Sequence, residues 1–81
     1  MKTVAFTAAA AKDLDALPAS ARDRITEALC TYALAGRGDV KALKGQPGYR
    51  MRIGDYRVIF DEDQTTILAI QIGRRTTTTY R

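Results

Sequence analysis

From residue 48 onward the hydrophobic period of the chain is two, and no other feature constrains its folding as strongly. Tyr49, Met51 and Ile53 alternate with Arg50 and Arg52, and Tyr56, Val58 and Phe60 alternate with Arg57 and Ile59. Successive side chains of a strand point to opposite faces, so these runs fit a half-buried sheet and not an amphipathic helix. Gly54-Asp55 separates them as a two-residue hairpin signal, with glycine supplying the positive φ that such turns need. After a turn over residues 61–65, Leu68, Ile70 and Ile72 alternate with Ala69, Gln71 and Gly73.

The first forty residues follow a different rhythm. Residues 1–7 read as a short strand with Val4 and Phe6 on one side. Thr7 is placed to cap an alanine-rich helix over 8–17, in which Ala10, Leu14 and Leu17 recur at helical spacing. Pro18 stops that helix and suits the start of the next. There Ile25, Ala28, Leu29 and Tyr32 form the apolar stripe, and Gly36 and Gly38 end it. The expected architecture is α+β in the order βααβββ, a small, mainly antiparallel sheet with the two N-terminal helices packed on one face. With 81 residues, the chain is too short for two cores, so a single domain over 1–81 is expected.

Register then says where the polar residues go. With Gly54-Asp55 as the turn, Ile53 faces Tyr56, Arg52 faces Arg57, Met51 faces Val58 and Arg50 faces Ile59. Aligning the apolar faces of the next pair sets Phe60 against Leu68, Val58 against Ile70 and Tyr56 against Ile72, so that Arg57 faces Gln71. Arg75 falls two positions farther along that side. A one-residue slip would bury the arginines. Arg50, Arg52, Arg57 and Arg75 are thus expected on one open face, together with Ile59 and Ala69. Two opposed arginines repel by a few tenths to about 1 kcal/mol. An anion between them relieves that cost, and guanidinium matches phosphate in bidentate fashion. Arginine stems covering apolar sheet, with their heads in water, are the plainer alternative.

Charge distribution points the same way. Residues 1–40 hold five basic and five acidic groups, and residues 41–81 hold eight basic against four acidic, so the whole net charge of +4 lies in the second half. A basic excess of that kind favours an anionic partner such as nucleic acid. Lys41, Lys44, Arg22, Arg24 and Arg37 are candidate backbone contacts for RNA, although each also reads as an ordinary solvated charge. Gln71 and Arg74 flank the arginine face and join the candidate RNA-binding set. Cys30 is the sole cysteine. No internal disulfide can form, a cytoplasmic location is expected, and on its helix the residue reads as small core filler. The chain has no histidine, so no zinc-type metal site and no cofactor are expected. No apolar run of membrane-spanning length occurs and the start lacks a signal-peptide core, so neither a membrane span nor export is expected.

Metal-free RNA cleavage needs a base for the 2′-hydroxyl, an acid for the departing 5′-oxygen and cations for the phosphorane. Arginine fills the last role and, with a pKa above about 12, fills the first poorly. Tyr80 is the candidate base, since neighbouring cations favour its phenolate.

The stretch Leu43-Lys44-Gly45, followed by Gly48-Tyr49-Arg50-Met51-Arg52-Ile53-Gly54-Asp55-Tyr56-Arg57-Val58-Ile59-Phe60, closely resembles the RelE/ParE toxin superfamily. Ile72-Gly73-Arg74-Arg75 with Tyr80 is similar to the family's last strand, where Arg74 stands in place of a common histidine. This resemblance implies a type II toxin held inactive by an antitoxin that offers a helix and an acidic segment, the two forming a hetero-oligomer. RelE-type members cut mRNA in the ribosome, whereas ParE-type members poison DNA gyrase. By the same resemblance Arg50, Arg52, Arg57, Arg75 and Tyr80 are the catalytic set of a ribosome-dependent, metal-independent mRNA endonuclease. A gyrase-directed toxin and an inert antitoxin-binding homologue are the alternatives.

Overall fold

The structure, a computed structural model, describes residues 1–74. The elements in chain order are β1 (Thr3–Phe6), α1 (Ala8–Asp15), α2 (Ala19–Ala35), β2 (Asp39–Ala42), β3 (Tyr49–Ile53), β4 (Tyr56–Glu62) and β5 (Thr66–Arg74). The strands form one sheet in the order β1-β5-β4-β3-β2. Only the β1–β5 pair is parallel, while the other three are antiparallel. Buried residues of both helices join Met51, Tyr56, Val58, Phe60, Ile67, Ala69 and Ile72 in one core. The helices therefore cover one face of the sheet, as the α+β reading expects.

Local chemistry sets the helix ends. The Thr7 hydroxyl accepts from the Ala10 N–H at 3.1 Å, supplying one of the partners that a helix start lacks. α1 stops at Asp15, two residues short of the expected end, because the residue before Pro18 is pushed out of helical conformation. Arg22 donates to the Leu17 carbonyl at 2.7 Å and holds that turn. α2 ends at Gly36, whose φ of 71° is the left-handed cap that glycine takes without steric cost. The buried stripe of α2 is Ala21, Ile25, Leu29 and Ala33. Cys30, one position past Leu29, is turned about 100° away from that stripe. It is exposed, not core filler.

Phe60 is fully buried at the centre. Tyr49 stacks on it with ring centroids 5.5 Å apart, and Tyr32 meets it edge-on at 5.6 Å. Beside this cluster Tyr32 donates to Glu62 at 2.8 Å, and Lys2 forms an ion pair with the same carboxylate. Burial works to raise the Glu62 pKa, but the Lys2 ammonium and the Tyr32 hydroxyl outweigh it and hold it below the usual value. Burial and the Glu62 carboxylate push Tyr32 up to about 12.

The sheet departs from the sequence reading in two places. First, β2 makes five strands where four were expected. It is short, largely exposed and carries one large apolar residue, Val40, so no alternation marks it. It exists because it pairs with β3, setting Asp39 against Arg52 and Lys41 against Arg50.

Second, the β4–β5 register is not the expected one. Val58 faces Ile72, Arg57 faces Gly73 and Tyr56 faces Arg74. The pairing then jumps from Ile59–Gln71 to Phe60–Ala69, so Ile70 is an extra residue in a β-bulge. One inserted residue reverses the parity of a strand. On one side of it Ile67 and Ala69 are buried, and on the other Ile72 is. Ala69, expected on the open face, is core, while Ile70 and half-buried Leu68 are not.

Candidate nucleic-acid interface

The sheet face opposite the helices is built from two cross-strand rows. One runs Lys41, Arg50, Ile59, Gln71 and the other Asp39, Arg52, Arg57, Gly73. The first hairpin creates both, since its register is the one the sequence implies: Arg50 faces Ile59, Met51 faces Val58 and Arg52 faces Arg57. Gly54 has φ 58° and Asp55, like every described non-glycine residue, does not have positive φ, which is the φ pattern of a type II′ turn and twists with the strands. Met51 and Val58 face the helices and are buried, which fixes the arginines on the opposite side.

Arg50 and Arg57 are half-buried, and Arg52 is exposed. Arg52 approaches the Asp39 carboxylate at 3.8 Å, with side-chain exposures of 43% and 55%. An ion pair this open is worth about 1 kcal/mol or less, so it leaves the guanidinium available to a competing anion. Sequence reasoning missed this carboxylate because it missed β2. Lys41, expected as a separate contact, becomes the neighbour of Arg50 for the same reason.

The remaining candidates fall elsewhere. Gln71 is exposed on the open face beside Ile59, one row away from Arg57. Arg74 is opposite Tyr56 and so on the helix side, with its guanidinium 5.6 Å from that ring's centroid. That distance suits a cation–π contact, and the structure does not bring Arg74 to the arginine face. Lys44 is exposed in the loop between β2 and β3, which the Leu43 N–H closes by donating to the Gly48 carbonyl at 3.0 Å. Arg24 and Arg37 line a cleft of about 440 Å³ between α2 and the β2–β3 edge, along with Arg52, Glu27 and Asp39. Arg75 and Tyr80 lie outside the described residues.

Chemically, the open face can hold a phosphodiester by charge and by bidentate hydrogen bonding, and it can offset charge developing on a phosphorane. Its described residues are poor at moving protons at neutral pH. No helix among the described residues is long and apolar enough to cross a membrane.

Comparison with known proteins matches this geometry to solved folds. Residues 4–78 match the family model for the ParE toxin of the parDE type II toxin–antitoxin system. No curated protein matches the chain. Among solved structures, the archaeal RelE–RelB complex from Pyrococcus horikoshii superimposes with a TM-score of 0.78 at 26% identity, covering 95% of this chain and 98% of that one. The RelB–RelE antitoxin–toxin complex from Methanococcus jannaschii gives 0.73 at 27% identity, over 90% and 92%. The toxin–antitoxin complex RelBE2 from Mycobacterium tuberculosis gives 0.66 at 28%, over 91% and 98%.

Proposed function

The chain belongs to the ParE toxin family of type II toxin–antitoxin systems, within the RelE/ParE superfamily, and from that membership we propose that it is a ribosome-dependent mRNA endonuclease that blocks translation. The observation that carries this reading is the two-row cationic face. Arg52 and Arg57 are directly opposed, and Lys41 and Arg50 are opposed in the row beside them. Like charges set across from each other repel, and a polyanion relieves that repulsion. Arg50, Arg52 and Arg57, with Arg75, stabilise the charge of the phosphorane, and Tyr80 is the general base. Gln71, Lys41 and Lys44 hold the strand on either side. No metal or cofactor takes part.

Its inhibitor is an antitoxin, as in the RelE–RelB complexes to which this chain is similar. Its helix covers apolar surface next to the helices or at a sheet edge. A groove of about 320 Å³ there is lined by Met1, Val4, Ala33 and Leu34, and Leu34 is 66% exposed. The antitoxin's acidic segment pairs with the arginine face. The complex works in the cytoplasm, where message and ribosomes are.

A second reading, a gyrase-directed toxin, is favoured by the matching family model being that of ParE. Primer extension on a reporter mRNA in a bacterial translation extract separates the two. Native protein is expected to cut within codons on translating ribosomes, and Arg57→Ala to lower cutting by about 10²–10³-fold, the usual loss when one transition-state donor is removed. An intact message alongside inhibited gyrase supercoiling selects the second reading.

A further inference from the structure

We infer that Gly73 is the floor of a phosphodiester seat on the open face, with Arg57 and then Arg52 as its cationic wall; this rests on the RNA reading of that face.

Glycine inside a strand costs conformational entropy and packs nothing, so it needs a reason. Two other glycines here have one in the fold. Gly54 has φ 58°, and a Cβ there would come within 2.6 Å of Arg24 Nη2. Gly48 has φ 113°, and a Cβ would stand 3.3 Å from Leu43. Gly73 has neither constraint. It is not among the positive-φ residues, and a Cβ built on it meets no described atom within 4 Å. Neither backbone geometry nor packing among the described residues excludes a larger residue.

What glycine provides there is bare backbone. Gly73 faces Arg57, which faces Arg52, so the clearing is one strand spacing of about 4.8 Å from the first guanidinium-bearing strand. That is room for a phosphate to lie flat against β5 while both arginines reach it from one side. Gln71, in the next row, offers an amide donor to the flanking nucleotide, and Ile59 offers an apolar surface beside it.

The bulge at Ile70 makes this possible. In an unbulged register with Phe60 against Leu68, Gln71 would stand opposite Arg57, and its side chain would fill the space. With Phe60 set one residue farther along, against Ala69, and Ile70 then inserted, Gly73 takes that position. Bulges commonly redirect what a strand presents next to functional sites.

Full-length protein carrying Gly73→Ala or Gly73→Val tests the seat. The probe is a short fluorescein-labelled single-stranded RNA, followed by anisotropy at low salt, with thermal melting measured on the same samples. The valine variant is expected to bind about tenfold more weakly and the alanine variant less so, as a filled seat pushes phosphate from the arginines. Melting temperatures should be unchanged or raised, because valine suits a strand better than glycine. Unchanged RNA affinity in Gly73→Val overturns the seat. A lower melting temperature alongside weaker binding also overturns it, since glycine would then serve packing. Wild type that binds this RNA yet leaves message intact defeats the nuclease reading and not the seat. Wild type that does not bind it overturns the seat, and the ribosome-dependent reading is then decided by primer extension alone.

Discussion

Arg52 and Arg57 face each other across β3 and β4, an arrangement that costs a few tenths to about 1 kcal/mol and that Asp39 offsets only weakly. Elsewhere single side chains are arranged for stability. Glu62 joins Lys2, before β1, to Tyr32 on α2, so one carboxylate ties three elements together. Its folded pKa is depressed, so its contribution is complete above the unfolded value of 4.5 and is lost as pH falls through the lowered folded value. Tyr32 behaves in the opposite sense. Its contribution is complete below 10.0 and is lost as pH rises toward about 12. Glu62→Gln should therefore melt below the native protein at neutral pH, and the gap should close as the solution is acidified through the lowered pKa. Thermal melts across that range check this, and a gap independent of pH would show that the carboxylate's charge is not what matters.

At the scale of elements, the question is what holds β5 once β1 runs out. β1 pairs with it only as far as Phe6–Ala69. Beyond that point α1 takes over: the Thr7 hydroxyl donates to the Ile70 carbonyl at 3.2 Å, and Asp13 accepts from the Ile72 N–H at 3.1 Å. One bond is to the bulged residue itself and the other lies just past it, so the helix end supports the register that puts Gly73 beside Arg57. Asp13→Ala is expected to cost about 1 kcal/mol, the net worth of a typical hydrogen bond, and to speed amide exchange at Ile72. Asp13→Asn keeps an acceptor oxygen and should restore protection. Native-state hydrogen exchange reads both, and equal protection at Ile72 in all three proteins would remove Asp13 from this role.

The whole molecule separates stability from charge by face. One side of the sheet is a buried apolar core around Phe60, and the other carries the cations of β2, β3 and β4. All of the +4 charge lies in residues 41–81, so association with RNA is expected to weaken steeply with salt. The slope of log affinity against log salt should become shallower by about one unit in Arg57→Ala, as one phosphate contact is lost. Titration at several salt concentrations measures it, and an unchanged slope would place Arg57 away from the phosphates.

The sequence by itself determined the two helices with their caps, the first hairpin and its register, and the side to which Arg50, Arg52 and Arg57 point. All of these follow from interactions between residues close in the chain: a capping hydroxyl, a left-handed glycine, a two-residue turn, an alternation of period two. Its RelE/ParE resemblance agrees with the family that the comparisons show. The tertiary structure alone decided β2, the bulge at Ile70, the place of Gly73 and Arg74, and the exposure of Cys30. β2 forms because β3 offers backbone partners, which leave no mark in its own side chains. Beside the bulge Asp13 and Ile72, 59 residues apart, meet through a backbone N–H that every residue but proline carries. Period-two reasoning assumes an unbroken strand in one register; pairing that sets Phe60 one residue farther along β5, against Ala69, and one inserted residue together exchange Gln71 for Gly73 opposite Arg57.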